Sequence, residues 1–421
     1  MAREFIDGGE SGSIDLYNES SGVTLVTGIP DMSGTYCFYI QSTQYIRKNV
    51  LASDEYYVKE RFRRVDLASS NRYLMVFYNV ATVLGVVDMN LTSSCFQVWR
   101  GNFAALLATG TYVVQNNITF LLEVRYKPHT STGIFQLKIN NVLDIDFSGN
   151  TSPSILQINK IGIENGGFLY YYIDDVVFDN SAWPGNTRIQ GIKPGGVGNS
   201  AQWTPSTADI EGLSRANPCV VTWTAHGLVS GSYVTMSGIT QADWTALNAE
   251  HLITYIGVNS FSIPVNTSGY AGDYVPATDP GVIASRNWNC VDETPPSDAD
   301  YVSTNTVDLV DMHTMADLVG NVLAVKCLQV HARGAYEGVP APERVQLAVR
   351  TGATDYFSGN FSPPISFGLI GYKLWEVNPG TTNPWTPAEI NAAEAGYKSI
   401  VVASESPSVS PSASPSASPS A

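Results

Sequence analysis

Charge is scarce in this 421-residue chain, in which only 14% of residues are Asp, Glu, Lys or Arg. Together with the low content of Lys, Glu, Ala and Leu, that argues against a helical protein. Paired cysteines are also missing. Cys37, Cys95, Cys219, Cys290 and Cys327 are odd in number and far apart, with no C-x-x-C pair and no His at ligand spacing. Neither a disulfide framework nor structural zinc is expected from them. The first ten residues lack the apolar core of a signal peptide, and no run approaches the ~20 apolar residues that span a membrane. We expect a soluble chain made in a cytosol, without membrane partners.

Phosphate-binding signals are absent as well. The glycines at 195, 196 and 198 meet neither the G-x-x-x-x-G-K-[ST] nor the G-x-G-x-x-G spacing, and Pro205 forbids a helix directly after them. A glycine-rich loop between strands is expected there. The net charge of -15, from 38 acidic and 23 basic residues, opposes nucleic-acid binding. The one basic cluster, Arg47, Lys48, Lys59, Arg61, Arg63 and Arg64, reads as a solvated strand face.

What is present is β-forming. Tyr (22), Gly (36), Thr, Val and Asn are abundant, the usual composition of antiparallel sheets. The residues 34–41, 55–65, 72–79, 84–89, 96–100, 118–126, 134–139 and 155–163 read as strands. Asn140-Asn141 makes a hairpin turn before Val142 to Phe147. The stretch Phe168 to Asn180 alternates Leu169, Tyr171, Ile173, Asp175 and Val177 against Tyr170, Tyr172, Asp174, Val176 and Phe178. Both faces are apolar except at their centre, so the strand belongs inside a sheet.

The fold expected is all-β: antiparallel sheets packed face to face, a separate small unit over residues 216–283, one short C-terminal helix and a disordered Ser/Pro tail. The divisions are residues 1–185, then 186–215 with 284–402, the insertion 216–283 and the tail 403–421. Within the insertion, Thr240 and Asp243 predict an N-cap for a short helix through Leu247. Beyond it, strands are expected at Val322 to His331, Arg344 to Arg350 and Ser366 to Val377. Thr386-Pro387-Ala388-Glu389 is a capping box whose helix is expected to run through Ala395 and to close at Gly396. The Ser-Pro-Ser-Ala repeats after Ser404 have no apolar face to bury.

No catalytic constellation and no cofactor site emerges. Jelly-roll glucanases need alternating carboxylates on one strand, and Asp144 and Asp146 lack the third and follow a turn, where hairpin solvation accounts for them. Asp174 and Asp175 are the candidate metal ligands, for calcium. Their other reading is a bend in the strand at which one Asp caps a neighbouring loop's amides. Trp99, Tyr170 and Tyr172 are the candidate ligand-binding residues, by stacking on sugar rings, against a role in core or sheet surface. Cys219, His226 and His331 read as structural.

The order Tyr56-Tyr57-Val58-Lys59, Leu121 to Tyr126, Phe135 to Asn141 and the closing Tyr172-Ile173-Asp174-Asp175-Val176 resembles the concanavalin/laminin-G jelly-roll superfamily, especially its copies in tailed-bacteriophage structural proteins. Members bind glycans or proteins, and some are glycanases or lyases. Residues 216–283, with Ala225-His226-Gly227-Leu228 and Asn259-Ser260-Phe261-Ser262-Ile263, resemble a small barrel related to the first catalytic-cysteine half-domain of ubiquitin-activating enzymes. Cys219 has no base beside it, so no ubiquitin chemistry is implied. These resemblances imply two antiparallel β-sandwiches (jelly rolls) with the small β-barrel inserted in the second, and a non-enzymatic virion structural protein, a capsid decoration or tail protein, whose partners are other virion proteins. A homo-oligomer and a host-surface glycan contact are further implied. The alternatives are a receptor- or glycan-binding tail fibre, or a tail-associated carbohydrate-active enzyme.

Overall fold

The computed structural model describes residues 3–66, 73–90, 92–167, 170–336, 338 and 342–401. The Ser/Pro segment from 403 onward, Phe168 and Leu169 lie outside the described residues. As expected, the described chain is almost entirely antiparallel β. In the first part the strands are β1 Arg3–Asp7, β2 Glu19–Ser21, β3 Thr24–Thr27, β4 Tyr36–Ile40 and β5 Tyr45–Ser53. They continue with β6 Tyr56–Asp66, β7 Tyr73–Asn79, β8 Thr82–Asn90, β9 Cys95–Arg100 and β10 Ala105–Thr109. The last are β11 Thr119–Lys127, β12 Gly133–Ile139, β13 Val142–Gly149, β14 Ile158–Glu164 and β15 Tyr170–Asp179.

These strands form two sheets. One has the order β13-β12-β11-β6-β15-β4-β3, with β1 also on β15, and the other has β10-β9-β8-β7-β14-β5-β2. Between them lies a core that includes Phe38, Phe62, Phe77, Phe120, Tyr126 and Phe135, each at most 1% exposed. Burying an aromatic or aliphatic side chain of this kind contributes about 1.5–3 kcal/mol. Asn140 and Asn141 both take positive φ (51° and 68°), which is what a tight two-residue hairpin turn requires.

The strand pattern breaks in one place that the alternation did not foresee. A bulge between Asp174 and Val177 sets Asp175 and Val176 against the single residue Glu60 of β6, and Asp175 takes φ 53°. The core face of β15 is therefore Tyr171 and Ile173 before the bulge, then Val176 and Phe178 after it. Strict alternation had placed Tyr171 and Phe178 on opposite faces. The strand is internal, as predicted, between β6 on one side and β4 and β1 on the other.

The basic cluster is not a solvated face. Lys48, Lys59 and Arg64 are buried. Arg47 pairs with Glu164 at 2.6 Å, Arg61 with Asp175 at 2.8 Å, and Lys59 donates to the Thr187 hydroxyl at 3.0 Å. Neighbouring strands supply Glu164 and Asp175, and the segment after β15 supplies Thr187, so the partners come from pairing and packing that no strand-local pattern announces. Asp144 is likewise not simply solvated, since it accepts from the amides of Thr111 and Tyr112 at 2.8 and 2.9 Å and ties β13 to the neighbouring loop.

Eight short strands between Ala208 and Ser285 form two separate four-stranded sheets that share a core of Ile210, Val234, Trp244 and Phe261. The expected helix there is a 3-10 turn, Trp244–Leu247, without a side-chain cap. Thr240 is drawn instead to Asp279, which accepts from its amide and hydroxyl. On either side of this unit, Pro194–Ala201, Val310–Met315, Glu394–Ile400, Arg344–Thr351 and Thr354–Phe361 make a five-stranded sheet. It packs with the pair Leu328–Gly334 and Gly368–Trp375 around Leu347, Val349, Trp375 and Trp385.

Two glycine readings are corrected here. The segment 194–201 is a strand rather than a loop, because a Cβ at Gly198 would collide with the Met312 carbonyl of the adjacent strand. The capping box forms as predicted, but its helix spans only Pro387–Asn391. Gly396 does not close it. It lies in the strand Glu394–Ile400, where a Cβ would meet the Asp311 carbonyl. In both cases glycine serves close backbone approach rather than a turn. The expected strand at Val322 starts later, at Leu328.

Candidate functional site

The outer face of the sheet that contains β15 carries a row of side chains running across five strands. Register places Thr24 of β3 beside Tyr39 of β4, Tyr39 beside Tyr172 of β15, Tyr172 beside Arg63 of β6, and Arg63 beside Thr119 of β11. At about 4.8 Å per strand the row is about 19 Å long. Its centre is aromatic: Tyr39 stacks on Tyr172 with ring centroids 4.8 Å apart and on Tyr170 at 6.5 Å. All three rings are half-buried, so each keeps part of its surface in solvent. Burial and the neighbouring phenols raise the pKa of the Tyr39 hydroxyl, which stays a neutral donor. Arg63 donates to uncharged groups, the Pro30 carbonyl at 3.4 Å and the Thr119 hydroxyl at 3.3 Å.

Local sequence explains this surface. Tyr-Cys-Phe-Tyr-Ile in β4 points Phe38 and Ile40 into the core and turns Cys37 and Tyr39 outward. Tyr170 and Tyr172 precede the bulge in β15, so they share the outward face with Tyr39 across the pair. Sequence reasoning singled out Tyr170 and Tyr172 but missed Tyr39. The signal was the same alternation, one strand earlier, and only the pairing of β4 with β15 brings the three together.

Two residues beyond Tyr172 on β15 the bulge brings Asp174 and Asp175 to the same side of the sheet. Asp175 accepts from the Arg61 guanidinium at 2.8 Å, the Ser33 hydroxyl at 2.6 Å and the Ile189 amide at 2.6 Å. Asp174 accepts from the amides of Ser33 and, at 2.6 Å, Asp175. Both are fully buried. Burial and the adjacent carboxylate raise the pKa of Asp174. The bend and the capped amides are the geometry of the second reading given to this pair. Their acceptor lone pairs are directed at a guanidinium, a hydroxyl and backbone amides, and the cation nearest to hand is Arg61. Among the described residues no group of three or more His, Cys, Asp or Glu is placed to hold a metal ion.

Trp99 lies elsewhere, on the outer face of the opposite sheet, in a small cluster with Val76, Tyr78 and Val86 and in edge contact with Phe103 at 5.4 Å. It is not brought near the tyrosine row. His226 accepts from the Leu228 amide at 3.0 Å and sits 3.0 Å from the Gly257 carbonyl, a turn-fixing role. Cys219 is buried in a strand.

A cleft of about 450 Å³ separates the inserted unit from the five-stranded sheet, with Trp288, Arg286, Thr235 and His313 among its walls. His313 is buried, and desolvation lowers its pKa to about 4, so the ring is neutral. It faces the Tyr397 hydroxyl at 3.2 Å, and Arg286 is held by Glu250 through two 2.9 Å hydrogen bonds.

The chain matches no protein-family profile and no curated protein sequence. Solved structures similar in part include a cellulose-induced protein at 15% identity and TM-score 0.34, covering 45% of this chain and 100% of that one. Another is an endo-β-1,4-glucuronan lyase from the fungus Trichoderma reesei, at 10% identity and TM-score 0.33, covering 43% and 96%. A carbohydrate-binding module from Bacillus subtilis follows at 9% identity and TM-score 0.28, covering 38% and 94%. Likeness at this level extends to no ligand and no activity.

Proposed function

We propose that this chain is a non-enzymatic structural protein exposed on a tailed-bacteriophage particle, as a capsid decoration or tail-associated component. It works by attachment to other virion proteins, and the Tyr39, Tyr170 and Tyr172 row offers contact to a host-surface glycan. The observation that favours binding over catalysis is the contrast on one sheet face. The stacked phenols and Arg63 remain partly open, whereas the adjacent carboxylates are turned into internal hydrogen bonds. A glycosidase would instead need two carboxyl groups about 5 to 9 Å apart across an open cleft. Half-open aromatic rings flanked by hydroxyls and a guanidinium suit the apolar face of a sugar ring and its equatorial hydroxyls.

The role as a particle component is tested by locating the chain in purified virions, by mass spectrometry and in a density map of the particle. Its presence in lysate and absence from virions would overturn that role. The glycan contact is tested by titrating host polysaccharide fragments onto the purified protein. Tyr172→Ala is expected to weaken binding roughly tenfold, the loss of a central aromatic contact. Unchanged affinity in both Tyr172→Ala and Tyr39→Ala would remove the tyrosine row from the reading and leave the protein-protein role alone. Release of reducing sugars by the wild-type protein would overturn the non-enzymatic reading.

A further inference from the structure

The interior of the first sandwich holds polar groups that none of the foregoing uses. Glu60 of β6 is fully buried, and neither of its carboxyl oxygens has a hydrogen-bond partner among the described residues. It stands opposite the β15 bulge, on the core side with Val58 and Phe62. Asp7 of β1 is 4% exposed; its Oδ1 accepts from the Gly9 amide at 2.8 Å while its Oδ2 is unpartnered. Tyr17, from the segment after β1, is wedged edge-on against Phe5 at 5.2 Å and Phe38 at 5.6 Å, and its hydroxyl is also unpartnered.

Residues 3–18 thus form a strap that runs into the sandwich and carries two of these three groups. The same strap is held from outside by the second sandwich. Tyr372 packs on Phe5 at 5.9 Å, Gln329 donates to the Ile6 carbonyl at 3.1 Å, the Arg3 amide donates to Glu376 at 2.8 Å, and Arg333 pairs with Asp15. A charge placed on Glu60 or Asp7 therefore weakens the core and the junction between the two sandwiches together.

We propose that the strap 3–18 is a proton-dependent latch, closed while Glu60 and Asp7 are neutral and loosened when they ionise. An ionised Glu60 would lose its hydration with no protein donor among the described residues to replace it, and an ionised Asp7 would have the Gly9 amide on one oxygen alone. Desolvation accordingly raises Glu60 from 4.5 to about 8 and Asp7 from 3.8 to about 7. The groups that face them are few. Lys48 of β5 favours charge on Asp7 and Glu10 opposes it, while Glu60 is raised by burial. Tyr17 and Tyr171, the phenols that feel Glu60, have pKa values raised well above 10 and remain neutral. Arg64, on the same strand, donates to Asn116 at 2.6 Å.

The folded state holds protons that the unfolded chain releases, so stability falls as pH rises from about 4 to about 8. Above that, Lys48 works in the opposite direction, because its folded pKa is lowered to about 8 and the unfolded chain then holds the extra proton.

The experiment is thermal or urea unfolding of the full chain between pH 5.5 and 8, with limited proteolysis of residues 3–18 in parallel. The unfolding constant of the wild type is expected to rise by up to tenfold per pH unit for each proton involved. Glu60→Gln should remove up to one proton's worth of that slope and Asp7→Asn up to one more, and the rise of cleavage within 8–18 with pH should be smaller in each variant than in the wild type. Equal slopes in wild type and Glu60→Gln, with no pH dependence of cleavage, would overturn the latch. If Glu60→Gln does not fold, amide exchange at Phe5 and Tyr17 in the wild type decides: protection unchanged between pH 5.5 and 8, after correction for intrinsic exchange, overturns it equally.

Discussion

Asp175 is the residue whose replacement probes the bulge most sharply, because its backbone and its side chain make separable demands. Its carboxylate takes three hydrogen bonds, from Arg61, Ser33 and Ile189 at 2.8, 2.6 and 2.6 Å, and is wholly buried. Truncation to Ala leaves the Arg61 guanidinium, whose side chain is 11% exposed, with Asn186 at 2.8 Å but without a counter-ion. Removing one partner of such a pair costs about 3–5 kcal/mol. The backbone demand comes from φ 53°, which costs a non-glycine residue such as Ala about 1–2 kcal/mol more. Asp175→Asn keeps an acceptor and tolerates this φ, and it relieves the repulsion with Asp174, so about 1–2 kcal/mol is expected. Asp175→Gly loses the side chain but relaxes the backbone. The predicted order of stability is wild type, Asn, Gly, Ala. For a sandwich of this size each kcal/mol lowers Tm by about 2–4 °C, so Ala should melt roughly 8–28 °C lower. Calorimetry of the four proteins measures the series. A loss below about 1 kcal/mol for Ala, or Gly no better than Ala, would refute this account of the bulge.

Gly396→Ala should destabilise by about 2–3 kcal/mol in urea unfolding, because the obstacle at the new Cβ is the Asp311 carbonyl, which cannot swing aside as a side chain would. Thr386→Ala removes the capping box, in which the Thr386 hydroxyl accepts from the Glu389 amide at 3.2 Å, and should cost about 1 kcal/mol by the same measurement.

Much of the fold was legible because its strands are short, β-branched or aromatic, and separated by turn residues. The ten strands predicted in the first 180 residues all form, and the Asn140-Asn141 turn is where the pattern put it. Of the strands that went unread, β1, β2, β3, β5 and β10, some depend on partners distant in sequence, as β5 does on β14, whereas β3 and β10 pair with the adjacent β4 and β9. β1 pairs only with β15, more than 160 residues away. The helix from Pro387 was readable at its start, where capping is local chemistry, and misread at its end. There a glycine that resembled a helix terminator is required by a neighbouring strand's carbonyl.

Sequence alone determined that this is an all-β chain, that β15 is an internal strand, and that its acidic pair is awkward for a regular strand. The tertiary structure decided what that pair does. Alternation puts adjacent residues on opposite faces, and only the pairing of two β15 residues against Glu60 breaks the rule. That single extra residue moves Asp175 to Arg61, returns Val176 to the core and leaves Glu60 facing the interior. It also keeps Tyr170 and Tyr172 beside Tyr39. Register and bulges depend on the opposing strand and the chain packed over it, so neither can be read from one strand's own residues.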